Sequence, residues 1–284
     1  YNSIVYNRMV MNKIVLMKII LYIGEFFMKS TIYCFSGTGN SLKVAKDVAE
    51  GLKDTEIIQI CAKNMNINNT TSNKIGIIFP VYASGMPLLV KEFIKDIRLM
   101  KDVYVYTVVT FGSAAGASIK QLEELLTDKG IKLSAAFKVK MPGNYQVIYA
   151  PYSEEKQKKC FDNEKEKISG IVKSINNNEI VEFSGVSESL MRTVGGMVYS
   201  SFSPYEKDKE FWTDKNCNGC SICSKVCPAS NIEMKDGKPK WQHKCEQCMA
   251  CMQWCPQRSI QYKKATIKRG RYHNPDIEVK ELFY

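Results

Sequence analysis

From Thr31 onward the chain alternates short, nearly continuous apolar runs with longer stretches whose apolar residues recur every three or four positions. The runs are "TIYCF" (31–35), "EIIQI" (56–60), "IGIIF" (75–79), "VYVYTVV" (103–109) and "SAAFKVK" (134–140). Runs of this kind suit parallel strands covered on both faces. Leu42, Ala45, Ala49 and Leu52 mark the first helical stretch, and further helices are expected near 87–99, 117–129 and 153–175. Five strand–helix units in succession predict an α/β fold, a doubly wound parallel sheet.

Beyond residue 177 the pattern changes. Residues 178–210 read as a connector, in which Leu190, Met191, Val194, Val198 and Phe202 make one apolar helix face, weakened at its centre by Gly195 and Gly196. A packing bridge is the preferred reading of that face. Residues 211–262 carry two short apolar-alternating arms around Asp236-Gly237, a hairpin signal. Residues 263–284 form a basic tail with Lys263, Lys264, Lys268, Arg269 and Arg271. That tail suits either docking of an acidic partner or a solvated strap across the preceding segment, and the strap is preferred. At the other end, the apolar stretch Ile14 to Phe27 is interrupted by Lys18 and Glu25, too short and too charged for a membrane span. No signal-type cleavage site follows it, and Met28 opens a strand pattern. Residues 1–28 are therefore expected to be an extension upstream of the natural start, and the protein cytoplasmic.

Charge changes this picture little. The net charge is +11, spread as +7 over residues 1–150 and +4 over 151–284. Without a long Lys/Arg run or an aromatic–basic repeat, a basic solvated surface explains it better than nucleic-acid binding. Cysteine usage changes the picture more. Eight of the 11 cysteines lie between Cys217 and Cys255, as "CNGCSICSKVCP" (217–228) and "CEQCMACMQWCP" (245–256). Both are C-x2-C-x2-C-x3-C-P, offset by 28 residues, and the same offset maps Ile232 onto Ile260. Such a match is a duplicated unit. Zinc ribbons use paired C-x2-C knuckles and leave the third cysteine and the trailing C-P unexplained. Disulfides would need an oxidising compartment.

The segment Phe211 to Tyr262 strongly resembles the bacterial two-cluster ferredoxin module. The resemblance implies two [4Fe–4S] clusters, one on Cys217, Cys220, Cys223 and Cys255, the other on Cys245, Cys248, Cys251 and Cys227. In each, the cysteine before the proline serves the neighbouring cube.

Three loops fall at the C-terminal ends of the earlier strands, where doubly wound sheets bind ligands. The first is "FSGTGNS", in which Gly37 and Gly39 permit close backbone approach and Ser36, Thr38, Asn40 and Ser41 offer polar groups. It opens a helix, so its amides suit a phosphate, yet it matches neither a Walker loop nor the dinucleotide turn. The second holds Pro80, Val81, Tyr82, Ala83, Ser84 and Gly85, with Tyr82 as a ring to stack on a flat cofactor. The third holds Phe111, Gly112, Ser113 and Gly116. Taken singly, each loop could be ordinary turn chemistry. Together they fit a planar ligand that carries a phosphate.

Residues 29–177 look like a flavodoxin domain, and "FSGTGNS" is similar to the flavodoxin FMN-phosphate loop. The resemblance implies sheet order 2-1-3-4-5, with FMN at the β1/β3 switch point. The chain from Met28 resembles flavodoxin–ferredoxin fusion proteins, with "FPVYASGMP", "MPGNY" (141–145) and "RYHNPDI" (271–277) as further points of likeness. His273, in the last of these, is either near a cofactor or a surface histidine. A basic flavodoxin-like domain departs from the usual acidic electron carriers. The expected function is electron relay between FMN and the clusters, exchanged with redox partner proteins. The alternatives are a flavin-dependent reductase of a small molecule and, third, a redox sensor. No catalytic triad or carboxylate pair stands out, so hydrolysis has little support.

Overall fold

The computed structural model describes residues 30–66, 72–183 and 203–284. The expected extension and the apolar helix face at Leu190 to Phe202 lie outside them. Five parallel strands form one sheet in the order β2-β1-β3-β4-β5: β1 (Ser30–Cys34), β2 (Thr55–Gln59), β3 (Lys74–Pro80), β4 (Tyr104–Phe111) and β5 (Leu133–Lys140). This is the flavodoxin-like order expected above. The apolar runs became strands because β1, β3 and β4 lie inside the sheet, and their side chains are buried on both faces almost throughout. Edge strand β2 is only partly buried.

Helices cover both faces. Helix α1 (Asn40–Leu52) packs on α4 (Glu154–Asn176) on one side, and α2 (Leu88–Asp96) on α3 (Ser118–Thr127) on the other. Each presents an apolar stripe to the sheet, such as Leu42, Val44, Ala45 and Val48 of α1. Since α1 follows β1 and α2 follows its neighbour β3, the chain leaves adjacent strands for opposite faces. The loops after β1 and β3 therefore diverge and leave a crevice at the C-terminal edge of the sheet. The free edge of β5 is closed by the start of the connector, where Val181 and β5 exchange two backbone hydrogen bonds.

The cysteine-rich segment folds as a compact second unit. Strand β6 (Phe211–Thr213) pairs antiparallel with β9 (Ile260–Tyr262), and β7 (Ile232–Lys235) pairs with β8 (Lys238–Trp241) through the expected Asp236-Gly237 turn. Two one-turn helices, α5 (Ile222–Lys225) and α6 (Ala250–Gln253), each follow a residue in the left-handed region, Ser221 and Met249. The 28-residue repeat is thus a repeat of backbone geometry. Positive φ recurs at Gly219 and Gln247, at Ser221 and Met249, and at Ser230 and Arg258. The amides of Asn231 and Ser259, also 28 apart, each donate to a cysteine sulfur, Cys227 at 3.2 Å and Cys255 at 3.4 Å. Among the described residues no helix is long and apolar enough to cross a membrane.

Candidate functional site

A cavity of about 390 Å3 opens at the C-terminal edge of the sheet. Its floor is the loop after β1 (Ser36, Gly37, Thr38) with Asn40 and Ser41 of α1. The walls come from the loops after β3 and β4, through Pro80, Val81, Tyr82, Ala83 and Ser84 and through Phe111, Gly112 and Ser113. Gly39 caps α1 in a left-handed conformation, φ 94°, and its amide donates to Ser36 Oγ at 3.1 Å. The next amides, at the first turn of α1, have no intrahelical acceptor and face the crevice end of the sheet, an arrangement that attracts anions. Ser41 Oγ shares a 2.8 Å hydrogen bond with Thr110 Oγ1, which ties the α1 start to β4. The hydroxyl of Tyr82 is buried beside Asn144, and burial pushes it well above its ordinary pKa.

Gly39, Gly85 and Gly116, assigned to the ligand by sequence reasoning, do not line the cavity. Gly85 closes a tight turn by exchanging backbone hydrogen bonds with Tyr82. At Gly116 a β-carbon would come within 2.1 Å of the Ser84 carbonyl oxygen, so the position serves to press two ligand loops together. At Gly39 it would meet Asn274 of the tail at 3.0 Å. Sequence reasoning missed a fourth wall. Met141, Pro142, Gly143, Asn144 and Tyr145 follow β5, and Ile148 and Tyr149 come next. The positional rule that found the other loops applies equally after β5. Lys207 and Gln247 also line the cavity, from the connector and from inside the second cysteine motif, and no sequence signal marks them.

Gln247 leads to the second half of the site. Its amide donates to Cys245 Sγ at 3.3 Å, and its side-chain carbonyl accepts from Tyr145 Oη at 3.3 Å. The cavity wall is therefore hydrogen-bonded to the cysteine loop. Contact is closer still at Gly37, where a β-carbon would lie 2.6 Å from the Cys248 carbonyl oxygen, and Trp254 Nε1 donates to the Gly37 carbonyl at 3.1 Å. The buried Glu246 carboxylate accepts from the amides of Leu88 and Leu89 at the start of α2, and burial raises its pKa to about 7.

The cysteines fall into two groups. Cys217, Cys220, Cys223 and Cys255 line one small cavity, and the Cys223 thiol is influenced by the other three. Cys227, Cys245, Cys248 and Cys251 are mutual neighbours, the first two acting on the thiols of Cys248 and Cys251. Burial pushes the thiols of Cys223 and Cys245 up to about 12. Thiolates so placed need cationic metal beside them, which fits a donor set for iron–sulfur clusters. Among the described residues, no three His, Cys, Asp or Glu side chains converge as a single metal ion would require.

The tail is solvated only in its first part, where Lys263, Lys264 and Lys268 are exposed. Arg271 binds the carbonyl of Ile260, and then Tyr272, Asn274, Ile277 and Leu282 are buried. Tyr272 Oη donates to Asn40 Oδ1 at 2.6 Å, Asn274 N to the Thr38 carbonyl at 2.8 Å, and Tyr284 Oη to the Ser36 carbonyl at 3.0 Å. The tail thus holds the outer side of the phosphate-type loop. His273 stays exposed, stacked on Trp254 with ring centroids 4.0 Å apart, and it does not line the cavity.

A family model described as a 4Fe-4S dicluster domain matches residues 216–260. Among solved structures, the two-electron reduced flavodoxin of Megasphaera elsdenii is 18% identical, covering 38% of this chain and 84% of that one, with a TM-score of 0.32. A flavoprotein in complex with FMN from Lactobacillus acidophilus is 16% identical over 39% and 93% of the two chains, with a TM-score of 0.33. The rubredoxin oxygen:oxidoreductase of Desulfovibrio gigas is 16% identical over 53% and 36%, with a TM-score of 0.35. The fold assignment rests on the strand order rather than on likenesses of this size. No curated protein matches the chain. The chain joins a flavodoxin-like α/β unit to a 4Fe-4S dicluster domain.

Proposed function

We propose that the protein relays electrons between an FMN held in the sheet-edge cavity and two [4Fe–4S] clusters, and exchanges them with outside redox proteins. The first-turn amides of α1 with Ser36, Thr38 and Ser41 would hold the phosphate, and Tyr82, Phe111, Tyr145 and Tyr149 would bound the planar ring. Cys217, Cys220, Cys223 and Cys255 would hold one cluster, and Cys245, Cys248, Cys251 and Cys227 the other. When bound, FMN supplies a junction between paired and single electrons, and the clusters carry electrons singly.

The residues fit these groups on three counts. The cavity is at the small end of the usual range for ligand sites, about 300–1,000 Å3, and suits one mononucleotide. The α1 start offers a ready anion site. The eight motif cysteines fall as two sets of four rather than as pairs. The observation that carries the reading is the contact of the Cys248 carbonyl with Gly37, which leaves no room for even a methyl group between cluster loop and flavin loop. The chain's own part is placement. Gln247 and Trp254 lock the two loops together, the tail holds the outer side, and Tyr145 hydrogen-bonds Gln247 across the junction.

An anaerobic spectroelectrochemical titration of the purified holo-protein tests this. It should find one FMN and two clusters per chain, with electrons redistributing among them. A protein with both clusters formed but no flavin bound would overturn the relay.

A further inference from the structure

The two cysteine sets are not equivalent with respect to solvent. Cys227, Cys245, Cys248 and Cys251 are all buried, 8–9% exposed, and their loop abuts the cavity at Gly37 and Gln247. In the other set Cys220 is exposed, and Cys217 and Cys255 are half-buried. No cysteine of either set lines the cavity itself, but the inner set's loop reaches it through Gln247 and the outer set's loop does not. Resting on the relay reading above, we infer that the inner set is the flavin's neighbour and that electrons cross the protein surface at the outer set, at a basic port built for an acidic one-electron carrier protein.

The sign of the port comes from its surroundings. An open groove of about 660 Å3 runs beside Cys255, and the cations Arg258, Arg271 and Lys280 line it against one acid, Glu278. On the opposite side of the set, Lys238 Nζ donates to the Cys217 carbonyl at 2.8 Å. Like charge beside an exposed redox centre repels cationic partners and steers anionic ones, raising encounter rates by roughly 10- to 1,000-fold at low salt. Electron tunnelling weakens steeply with distance, so docking pays only where a centre reaches the surface, and in the outer set that is at Cys220 and at the half-buried Cys255 beside the groove. The exchange balances simply. Cys217, Cys220, Cys223 and Cys255 would hold the cluster that supplies one electron, and the carrier's metal centre would be reduced by one unit, with no bond broken and no proton moved.

The experiment uses the dithionite-reduced holo-protein in a stopped-flow instrument, with oxidised acidic rubredoxin and oxidised basic cytochrome c as probes. Rubredoxin should be reduced faster at low salt, and its rate should fall roughly tenfold or more on raising the salt to physiological strength. The doubly reversed variant R258E/K280E should lose several-fold of the rubredoxin rate and most of its salt dependence, whereas K132E, on the far end of the sheet, should lose neither. Faster cytochrome c, salt-independent rubredoxin rates, or equal losses in K132E would overturn the port. Flavin is assayed on the same sample. A flavin-free protein that keeps the preference for the acidic carrier upholds the port and sinks the relay, and a flavin-loaded protein without the preference does the reverse.

Discussion

At Gly37 a methyl group would press against the Cys248 carbonyl oxygen at 2.6 Å and the Tyr82 hydroxyl at 2.9 Å. Gly37→Ala should therefore part the two loops, lowering stability by about 1–3 kcal/mol. It should also slow electron exchange between flavin and cluster, as read by flash photolysis of the flavin. An unchanged rate would show that the contact is not the route. Glu164 offers a second test. It is 2% exposed on α4, facing α1, and burial together with the nearby Asp47 raises its pKa from 4.5 to about 7. The folded state then holds a proton that the unfolded chain has released. Its contribution is whole below about pH 4.5 and is lost as pH rises through about 7. Glu164→Gln, which mimics the protonated form, should flatten that fall and stabilise the protein above pH 7 by on the order of 1–3 kcal/mol. Urea unfolding at pH 5 and pH 8 measures it, and an equal effect at both pH values would refute the assignment.

The tail is the element whose role changed most between sequence and structure. Its basic residues suggested a solvated segment. Instead Tyr272, Asn274, Ile277 and Leu282 are buried against the loop that opens α1. Truncation after Gly270 would expose the outer side of that loop and remove the partners of Asn40 and Thr38. It should cost at least about 3 kcal/mol in stability, since two buried aliphatic side chains alone are worth about that. It should also weaken FMN binding, read by fluorescence titration of the apo-protein. Retention of full flavin affinity would confine the tail to packing. The β7–β8 hairpin stands at the other extreme, because a local signal specified it. Asp236 and Gly237 both take the positive φ that such a turn demands.

At the scale of the molecule, the larger hydrophobic core crosses between the units the sequence divides, while the cysteine-rich unit keeps a smaller core of its own around Phe211, Met249, Met252 and Tyr262. Val226, Cys248, Ala250, Trp254, Ile277 and Leu282 belong to the same buried cluster as Ile32, Phe79 and Val108 of the sheet. A shared core predicts a single cooperative unfolding transition. Denaturant curves followed by far-ultraviolet dichroism and by cluster absorbance should coincide in the holo-protein. Two separated transitions would mean that the units fold independently. The same arrangement puts one cysteine set inside and the other at the surface, which is what gives the port its direction.

The sequence by itself determined the elements and the duplicated cysteine motif. Buried parallel strands must be apolar at nearly every position, so all five were legible, within about two residues at either end. The duplicated cysteine motif was legible because a cube needs its ligands at short, fixed spacings. The loops after β1, β3 and β4 were legible as a cavity because a doubly wound sheet leaves its crevice at the strands' C-terminal ends. Only the tertiary structure decided what fills the other sides of that crevice. Gln247, Lys207 and Tyr272 lie far along the chain from Ser36, and no local pattern records a contact made by packing across such distances. The glycines show the limit most plainly. Their small size was evident from the sequence, but whether it admits a ligand, as it was read, or a cysteine loop and a tail, as at Gly37 and Gly39, depends on which neighbour the folded chain brings there.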